Sequence, residues 1–118
     1  MIENRKFIRL KSPLPVEYKI LRKHKRQKTQ DSYMKNISVG GLSLCVVEDV
    51  RHGELLQLDI RIPHFEDPVR VVGDVVWFTA TKNRDSGEID RYAGIRFKQV
   101  DPRELNKILD FVYSIAIG

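Results

Sequence analysis

The sequence contains only one cysteine, Cys45, among its 118 residues. One thiol excludes an internal disulfide framework and favours a reducing compartment; Cys45 itself is expected to be a small core residue. No apolar run approaches the roughly 18 residues that a membrane span needs, and the first six residues lack the apolar stretch of a signal peptide. These absences predict a cytoplasmic protein without membrane insertion.

Patterns that are typical of catalysis and of metal binding are also missing. His24, His52 and His64 are isolated, whereas a zinc site needs about four ligands at recognisable spacing. Ser38 lacks the glycine two positions earlier that a nucleophile elbow requires, and the turn at residues 36–41 lacks the Gly-Lys-Ser/Thr ending of a P-loop. The sequence therefore predicts no enzyme and no metal site, and it implies no cofactor.

Charge is distributed unevenly along the chain. Residues 1–40 carry 11 Lys/Arg against 3 Asp/Glu, whereas residues 41–118 carry 10 against 13. This asymmetry indicates an anionic partner near the N-terminal portion. The densest basic run, residues 22–28, is interpreted either as a solvated hairpin loop or as a contact for nucleic acid or an acidic membrane. The sequence leaves its role open.

Apolar and polar residues alternate over most of the chain, which is typical of β-strands. Six segments show the pattern to different degrees: residues 14–20, 29–35, 42–47, 56–62, 69–79 and 92–97. The fifth segment places Val71, Val75 and Trp77 on one face, and Gly73 is expected at a bend. The polar residues 81–90 predict a loop between the last two strands.

After Val100 the apolar period becomes that of a helix. Asp101 predicts an N-cap, followed by proline at the first helical position and an acid at the third. An apolar stripe follows at helical spacing: Leu105, Ile108, Leu109, Val112 and Ile115. The apolar end of the helix either packs on the remaining protein or contacts a second copy or another protein.

These elements predict one all-β domain over residues 1–118, closed by a C-terminal helix. A six-stranded antiparallel β-barrel over residues 13–98 removes exposed sheet edges by closing on itself. A mobile ligand-binding tail over residues 1–12 precedes it, and the helix over residues 101–117 follows it.

Two arginines, Arg5 and Arg9, stand four residues apart in the tail. A guanidinium donates two parallel hydrogen bonds, either to a phosphate or to O6 and N7 of guanine. A later turn has complementary chemistry: Asn36 can pair along a base edge, Ser38 can reach a phosphate or ribose, and Gly41 permits a close backbone approach. Each pattern alone is ordinary, but together they predict a site for an anionic, guanine-containing ligand.

The two patterns, Arg5-xxx-Arg9 followed by Asn36-x-Ser38-xx-Gly41, resemble the two-part signature of PilZ domains, which are bacterial receptors for cyclic di-GMP. The runs Val75-Val76-Trp77 and Gly94-Ile95-Arg96-Phe97 are similar to family positions in the fifth and sixth strands. The resemblance covers essentially the whole chain. It implies a six-stranded antiparallel barrel with a C-terminal helix. It also implies a receptor that transmits a ligand-induced change to a downstream effector protein.

The resemblance implies roles for individual residues. Arg5 and Arg9 would clamp the phosphates and the Hoogsteen edge of guanine. Asn36, Ser38 and Gly41 would contact the other side of cyclic di-GMP from the barrel surface. A ligand-bound arrangement of tail and barrel would then differ from the empty one, and a partner would read the difference.

Four further residues are assigned to the same implied site. Trp77 is expected either beside a base or in the core, and Gly40 lies within the turn. Asn4 stands where many relatives carry an arginine, which leaves open whether one or two ligand molecules bind. Lys6 supplies a charge there, although without the bidentate fork of an arginine.

Two other functions stay open. One is a PilZ-fold interaction adaptor that does not need the nucleotide and works through its apolar C-terminus, which would contact a partner protein or a second copy in a homodimer. The other is a small β-barrel that binds single-stranded nucleic acid through the basic loop and surface aromatics. Against the second, the aromatic residues form no obvious stacking row in the sequence: Tyr18, Tyr33, Trp77 and Tyr92.

Overall fold

The computed structural model describes residues 13–22 and 27–117, without the side chains of residues 116 and 117. The predictions for the tail, including those for Asn4, Arg5, Lys6 and Arg9, lie outside the described residues. So does the central part of the basic run, residues 23–26. The elements are β1 Leu14–Ile20, β2 Gln30–Ile37, β3 Gly41–Cys45, β4 Leu55–Ile60, β5 Val69–Lys82, β6 Ile89–Val100 and α1 Pro102–Ile117.

The six strands form a closed barrel in the order β1-β2-β3-β6-β5-β4. Every neighbouring pair is antiparallel, and β1 closes the barrel because it pairs with both β2 and β4. The barrel and the C-terminal helix confirm the predicted fold class.

Alternation along the strands fills the barrel with apolar side chains. Val16, Tyr18 and Ile20 are buried on β1, and Leu56 and Leu58 are fully buried on β4. Burial raises the pKa of the Tyr18 phenol, and its oxygen accepts a hydrogen bond of 2.9 Å from the backbone N–H of Val47. Tyr18 therefore packs its ring in the core without leaving its hydroxyl unsatisfied.

Cys45 is not a core residue. Leu42 and Leu44 take the inward positions of β3, so the alternation turns Cys45 outward, where it is partly exposed.

Strand pairing shifts by one residue at three places in the barrel as described. The extra residues are Lys35 on β2, Lys98 on β6 and Val76 on β5. The second shift lies beside Gly73, where a bend was predicted. The third separates the pair Val75–Ile95 from the pair Trp77–Gly94.

The bulge at Val76 overturns the prediction that Trp77 shares a face with Val71 and Val75. Those two valines are buried, whereas Trp77 is 41% exposed. An extra residue in a strand reverses the inward and outward positions that follow it. Phe78 therefore packs against the core and Trp77 points outward.

The loop predicted at residues 81–90 is shorter in the structure. Thr81 pairs with Asp90 and Lys82 pairs with Ile89, so the loop covers only residues 83–88. Both faces of this hairpin end are exposed. A strand without a buried face has no apolar alternation, which is why its sequence resembles a loop.

Helix α1 begins with the predicted cap. The Asp101 carboxylate accepts a hydrogen bond of 2.8 Å from the backbone N–H of Arg103. Ile108, Phe111 and Val112 are buried in the barrel's core cluster, but Ile115 is 46% exposed, contrary to its place in the predicted stripe. Within the described residues, no helix combines the length and apolar character needed to cross a membrane.

Candidate functional site

The turn between β2 and β3 is organised by Ser38, which is buried. The backbone N–H of Ser38 donates to the Gly41 carbonyl at 2.8 Å, and its hydroxyl donates to the same oxygen at 3.4 Å. The hydroxyl also accepts a hydrogen bond of 3.3 Å from the backbone N–H of Gly40. Ser38 therefore fixes the shape of the turn through its side chain as well as its backbone.

Gly41 joins this turn to β6. It pairs with Arg96, and a Cβ atom at this position would collide with the carbonyl oxygen of Ile95. Next to it, the Gly40 carbonyl accepts a hydrogen bond of 2.9 Å from Phe97. Because the obstacle is backbone, only glycine permits this close approach.

A cleft of about 310 Å³ lies on the outer surface next to the turn. One cross-strand row forms its centre: Asn36 pairs with Ser43, Ser43 with Gly94, and Gly94 with Trp77. The complete lining is Asn36, Ser38, Gly40, Gly41, Leu42, Ser43, Val76, Trp77, Gly94, Ile95 and Arg96. Every described residue of the predicted site therefore lines one cleft.

The indole of Trp77 lies directly against Gly94. A Cβ atom at Gly94 would overlap the Nε1 edge of the ring. The bulge at Val76 turns the indole outward, and the missing side chain at Gly94 leaves it room. Trp77 thus gives the cleft a partly exposed aromatic wall of the kind on which a nucleobase can stack.

Arg96 gives the cleft its charge. It is the charged member among the described lining residues, and its guanidinium forms a bidentate pair with Asp74 at 3.1 Å (Nε–Oδ1) and 2.8 Å (Nη2–Oδ2). The hydrogen bonds from Arg96 hold the pKa of the Asp74 carboxyl below its usual range. The sequence prediction assigned no role to this pair. Its signal was an acid and a base on neighbouring predicted strands, visible only once their register is known.

A second group of aromatic side chains lies on the outer surface. The hydroxyls of Tyr33 and Tyr92 are 3.0 Å apart, and the Lys35 ammonium lies 4.3 Å from the centre of the Tyr92 ring. Tyr92 and Gly94 share a face of β6, so this group neighbours the row that contains Trp77. Of the four aromatic residues named for a stacking row, Tyr33, Trp77 and Tyr92 thus lie on the outer surface. Tyr18 alone is buried.

Comparisons with known proteins place the chain in a family. The model of the PilZ domain family matches residues 3–114. The chain belongs to the PilZ family. The matched range covers the closed barrel, the cleft and most of α1. A search of curated proteins found no match to this PilZ chain.

Solved structures share the PilZ fold at low sequence identity. The chain is similar to the Bacillus subtilis inhibitor of motility MotI/DgrA, with a TM-score of 0.72, 18% identity, and coverage of 98% of this chain and 52% of that one. The PilZ domain of Escherichia coli YcgR, solved with c-di-GMP, has a TM-score of 0.72 and 15% identity, with coverage of 97% of this chain and 92% of that one. K. pneumonia MrkH has a TM-score of 0.75 and 16% identity, with coverage of 98% of this chain and 52% of that one. The chain thus spans about half the length of MotI/DgrA and MrkH.

Proposed function

We propose that this PilZ protein is a receptor for cyclic di-GMP. The observation that carries the proposal is the single cleft that unites the Asn36–Gly41 turn with Trp77. An outward aromatic ring beside polar groups and an arginine suits a ligand with flat bases and anionic phosphates. The similar PilZ domain of YcgR was solved with this nucleotide, which supports the same choice of ligand.

Each described residue of the predicted site has a proposed role in that cleft. The indole of Trp77 stacks on one guanine, and the Asn36 amide pairs along a base edge. Ser38 keeps the turn in shape, and its burial favours this role over a direct hydrogen bond to the ligand. Gly40 and Gly41 allow the ligand to approach the backbone.

The arginine pair is proposed to complete the site from the tail. Arg5 and Arg9 bind the phosphates and the Hoogsteen edge of guanine, for which a guanidinium fork is suited. Lys6 adds charge, and Asn4 at the position before Arg5 affects whether one or two ligand molecules bind. The ligand then links the tail to the cleft, and a downstream effector protein recognises the linked form.

Calorimetric titration with cyclic di-GMP tests the proposal. Replacing Arg9 by alanine should cost about 1–3 kcal/mol of binding free energy, the range for a lost bidentate guanine contact. Trp77→Ala should cost about 1–3 kcal/mol because a stacked base is lost. Arg103→Ala is the control, since that arginine lies outside the cleft at the start of α1. Equal affinity in all of these proteins, or no binding by the unchanged chain, would contradict the proposal.

A second candidate, binding of single-stranded nucleic acid, is favoured by the aromatic group of Tyr33, Tyr92 and Lys35. Exposed aromatic rings and a cation are the usual elements of a stacking surface. The candidate predicts strongly salt-dependent binding of an oligonucleotide. It also predicts that binding weakens in Tyr92→Ala and does not change in Asn36→Ala. Fluorescence anisotropy with a labelled oligonucleotide distinguishes these outcomes.

The end of α1 is proposed as a surface for a homodimer or an effector protein. Tyr113 and Ile115 are each 46% exposed there. Large exposed apolar side chains are typical of such contacts. Size-exclusion chromatography with and without cyclic di-GMP, on the unchanged chain and on Ile115→Glu, tests the dimer. An elution volume that is the same in all four runs and matches a monomer would contradict it.

A further inference from the structure

Asp74 and Arg96 form an ion pair across β5 and β6 at the edge of the cleft. They are direct partners in the strand register, so their side chains leave the same face of the sheet. Their exposure differs sharply: the Asp74 side chain is 9% exposed, whereas that of Arg96 is 61% exposed. The arginine therefore covers the carboxylate and faces the solvent above it.

The surroundings of Arg96 place it within the site. On its other side Arg96 pairs with Gly41 of the Ser38–Gly41 turn, and its side chain lines the cleft. Arg96 therefore lies on β6 between two neighbours, Gly41 of the turn on one side and Asp74 of β5 on the other. Any ligand that touches both the turn and Trp77 lies next to this group.

The bidentate pair determines which edge of the guanidinium is available. An arginine has five N–H donors, and the bonds to Asp74 use one on Nε and one on Nη2. The remaining donors, on Nη1 and the outer side of Nη2, point away from the carboxylate. Because the fork is planar and rigid, fixing one edge also fixes the direction of the other.

The charge of Asp74 would by itself oppose an anionic ligand. Arg96 neutralises that charge and presents its own outer edge in the same place. We propose that Arg96 is a ligand-contacting residue that donates to a phosphate of cyclic di-GMP, and that Asp74 is the positioning residue that aligns it. This inference rests on the proposed function.

The chain contains a matched control for the pair. Arg70 and Asp59 are also direct partners on neighbouring strands and form a bidentate pair, at 2.8 and 3.0 Å. The Arg70 side chain is 65% exposed, close to the value for Arg96. Neither Arg70 nor Asp59 lines the cleft. Replacing Arg70 therefore reports what the loss of such a pair does to the barrel alone.

The first experiment is calorimetric titration of cyclic di-GMP into the full chain and its variants. Arg96→Gln should weaken binding by roughly 5- to 150-fold, the range for one lost bidentate contact. Arg96→Lys should recover part of the loss, because it keeps the charge without the fork. Arg70→Gln should bind as the unchanged chain does. Equal affinity in Arg96→Gln and the unchanged chain would overturn the proposal.

The second experiment tests the positioning role of Asp74 by the sign of its effect. Asp74→Asn removes a negative charge near an anionic ligand, so electrostatics alone predicts tighter binding. If Asp74 aligns Arg96, Asp74→Asn instead weakens binding, and the same change in the Arg96→Gln background strengthens it. Tighter binding in both backgrounds would overturn the positioning role.

Failure of the inference is distinguishable from failure of the proposed function. If the unchanged chain binds no cyclic di-GMP, the proposed function is wrong and the inference fails with it. If the unchanged chain binds and Trp77→Ala weakens binding, but Arg96→Gln does not, only the inference is wrong. Thermal unfolding of each variant, compared with that of Arg70→Gln, distinguishes a loss of affinity from a loss of folded protein.

Discussion

At the scale of single residues, two glycines make the cleft by the atoms they lack. Gly94 leaves room for the indole of Trp77, and Gly41 lets the turn reach the backbone of β6. The obstacles differ: a new methyl group would meet a side chain at Gly94 but a backbone carbonyl at Gly41. A half-exposed side chain can move aside more easily than a paired strand can. The two positions should therefore respond differently to the same substitution.

Gly94→Ala should displace the indole with little loss of stability, whereas Gly41→Ala should lower the free energy of unfolding by about 1–3 kcal/mol through overpacking. Trp77 is the only tryptophan, so its fluorescence spectrum reports its surroundings directly. We expect a shifted emission maximum in Gly94→Ala and a lower urea midpoint in Gly41→Ala. An unchanged spectrum in the first variant, or an unchanged midpoint in the second, would show that the packing described for that glycine is wrong.

An ion pair at one end of the barrel predicts a pH dependence. Arg22 donates to the two carboxylate oxygens of Glu54 at 2.8 and 3.3 Å, and the Arg51 backbone N–H adds a bond of 2.7 Å. The hydrogen bonds from Arg22 lower the pKa of Glu54. Since the folded pKa lies below the unfolded value of about 4.3, this stabilisation is present above that pH. It is lost as the pH falls through the folded pKa.

Glu54→Gln should therefore reduce stability at pH 7 and flatten the loss of stability below about pH 4.3. Arg22→Ala removes the main cause of the shift and should flatten the same part of the curve. Urea unfolding at a series of pH values between 3 and 7 measures both. If Glu54→Gln and the unchanged chain lose stability in parallel below pH 4.3, this pair does not contribute to acid unfolding.

At the scale of elements, alternation predicted strands well wherever one face is buried. The positions of Val16, Tyr18 and Ile20 followed from period two, as did those of Leu56 and Leu58. The outward position of Trp77 did not, because a one-residue bulge leaves no periodic signal of its own. The end of β5 and the start of β6 were predicted as a loop because neither face of the sheet is buried there, so the alternation is absent.

The candidate site was likewise predicted only in part from the sequence. Asn36, Ser38 and Gly41 were predicted from their spacing within one short turn, and the turn lines the cleft. Arg96 reaches that cleft only through the register of β3, β6 and β5. Register depends on long-range pairing and on bulges, which the local sequence does not determine.

The helix cap gives a prediction at this scale. Asp101→Ala should lower the free energy of unfolding by about 1 kcal/mol, because the first turn of α1 loses the acceptor for the Arg103 N–H. Asp110→Ala, the same substitution at an exposed position inside α1, should be neutral or slightly stabilising because alanine favours helices. Urea unfolding of both variants measures the difference. Equal effects at the two positions would mean that Asp101 does not act as a cap.

At the scale of the whole molecule, charge alone does not distinguish the candidate ligands. The formal net charge of +5 attracts a cyclic dinucleotide and an oligonucleotide alike. Salt separates them because affinity falls with the number of phosphates that a protein neutralises. A cyclic dinucleotide has two phosphates, whereas an oligonucleotide along a barrel surface engages several. Stability measured with each ligand at two salt concentrations therefore tests which of the two the protein binds.

Cyclic di-GMP at about 100 times its dissociation constant should stabilise the folded chain by about 2.7 kcal/mol. For a domain of this size the corresponding rise in Tm is about 10 °C. We expect most of this rise to persist when the salt concentration increases from 50 to 200 mM. An oligonucleotide bound through six or more of its phosphates would lose about 10³-fold or more in affinity over the same range.

Thermal unfolding with each ligand at both salt concentrations measures the difference. A rise in Tm with the oligonucleotide at low salt, and none with cyclic di-GMP at either concentration, would identify a nucleic-acid binder. The cleft would then be a feature of the fold without the proposed ligand.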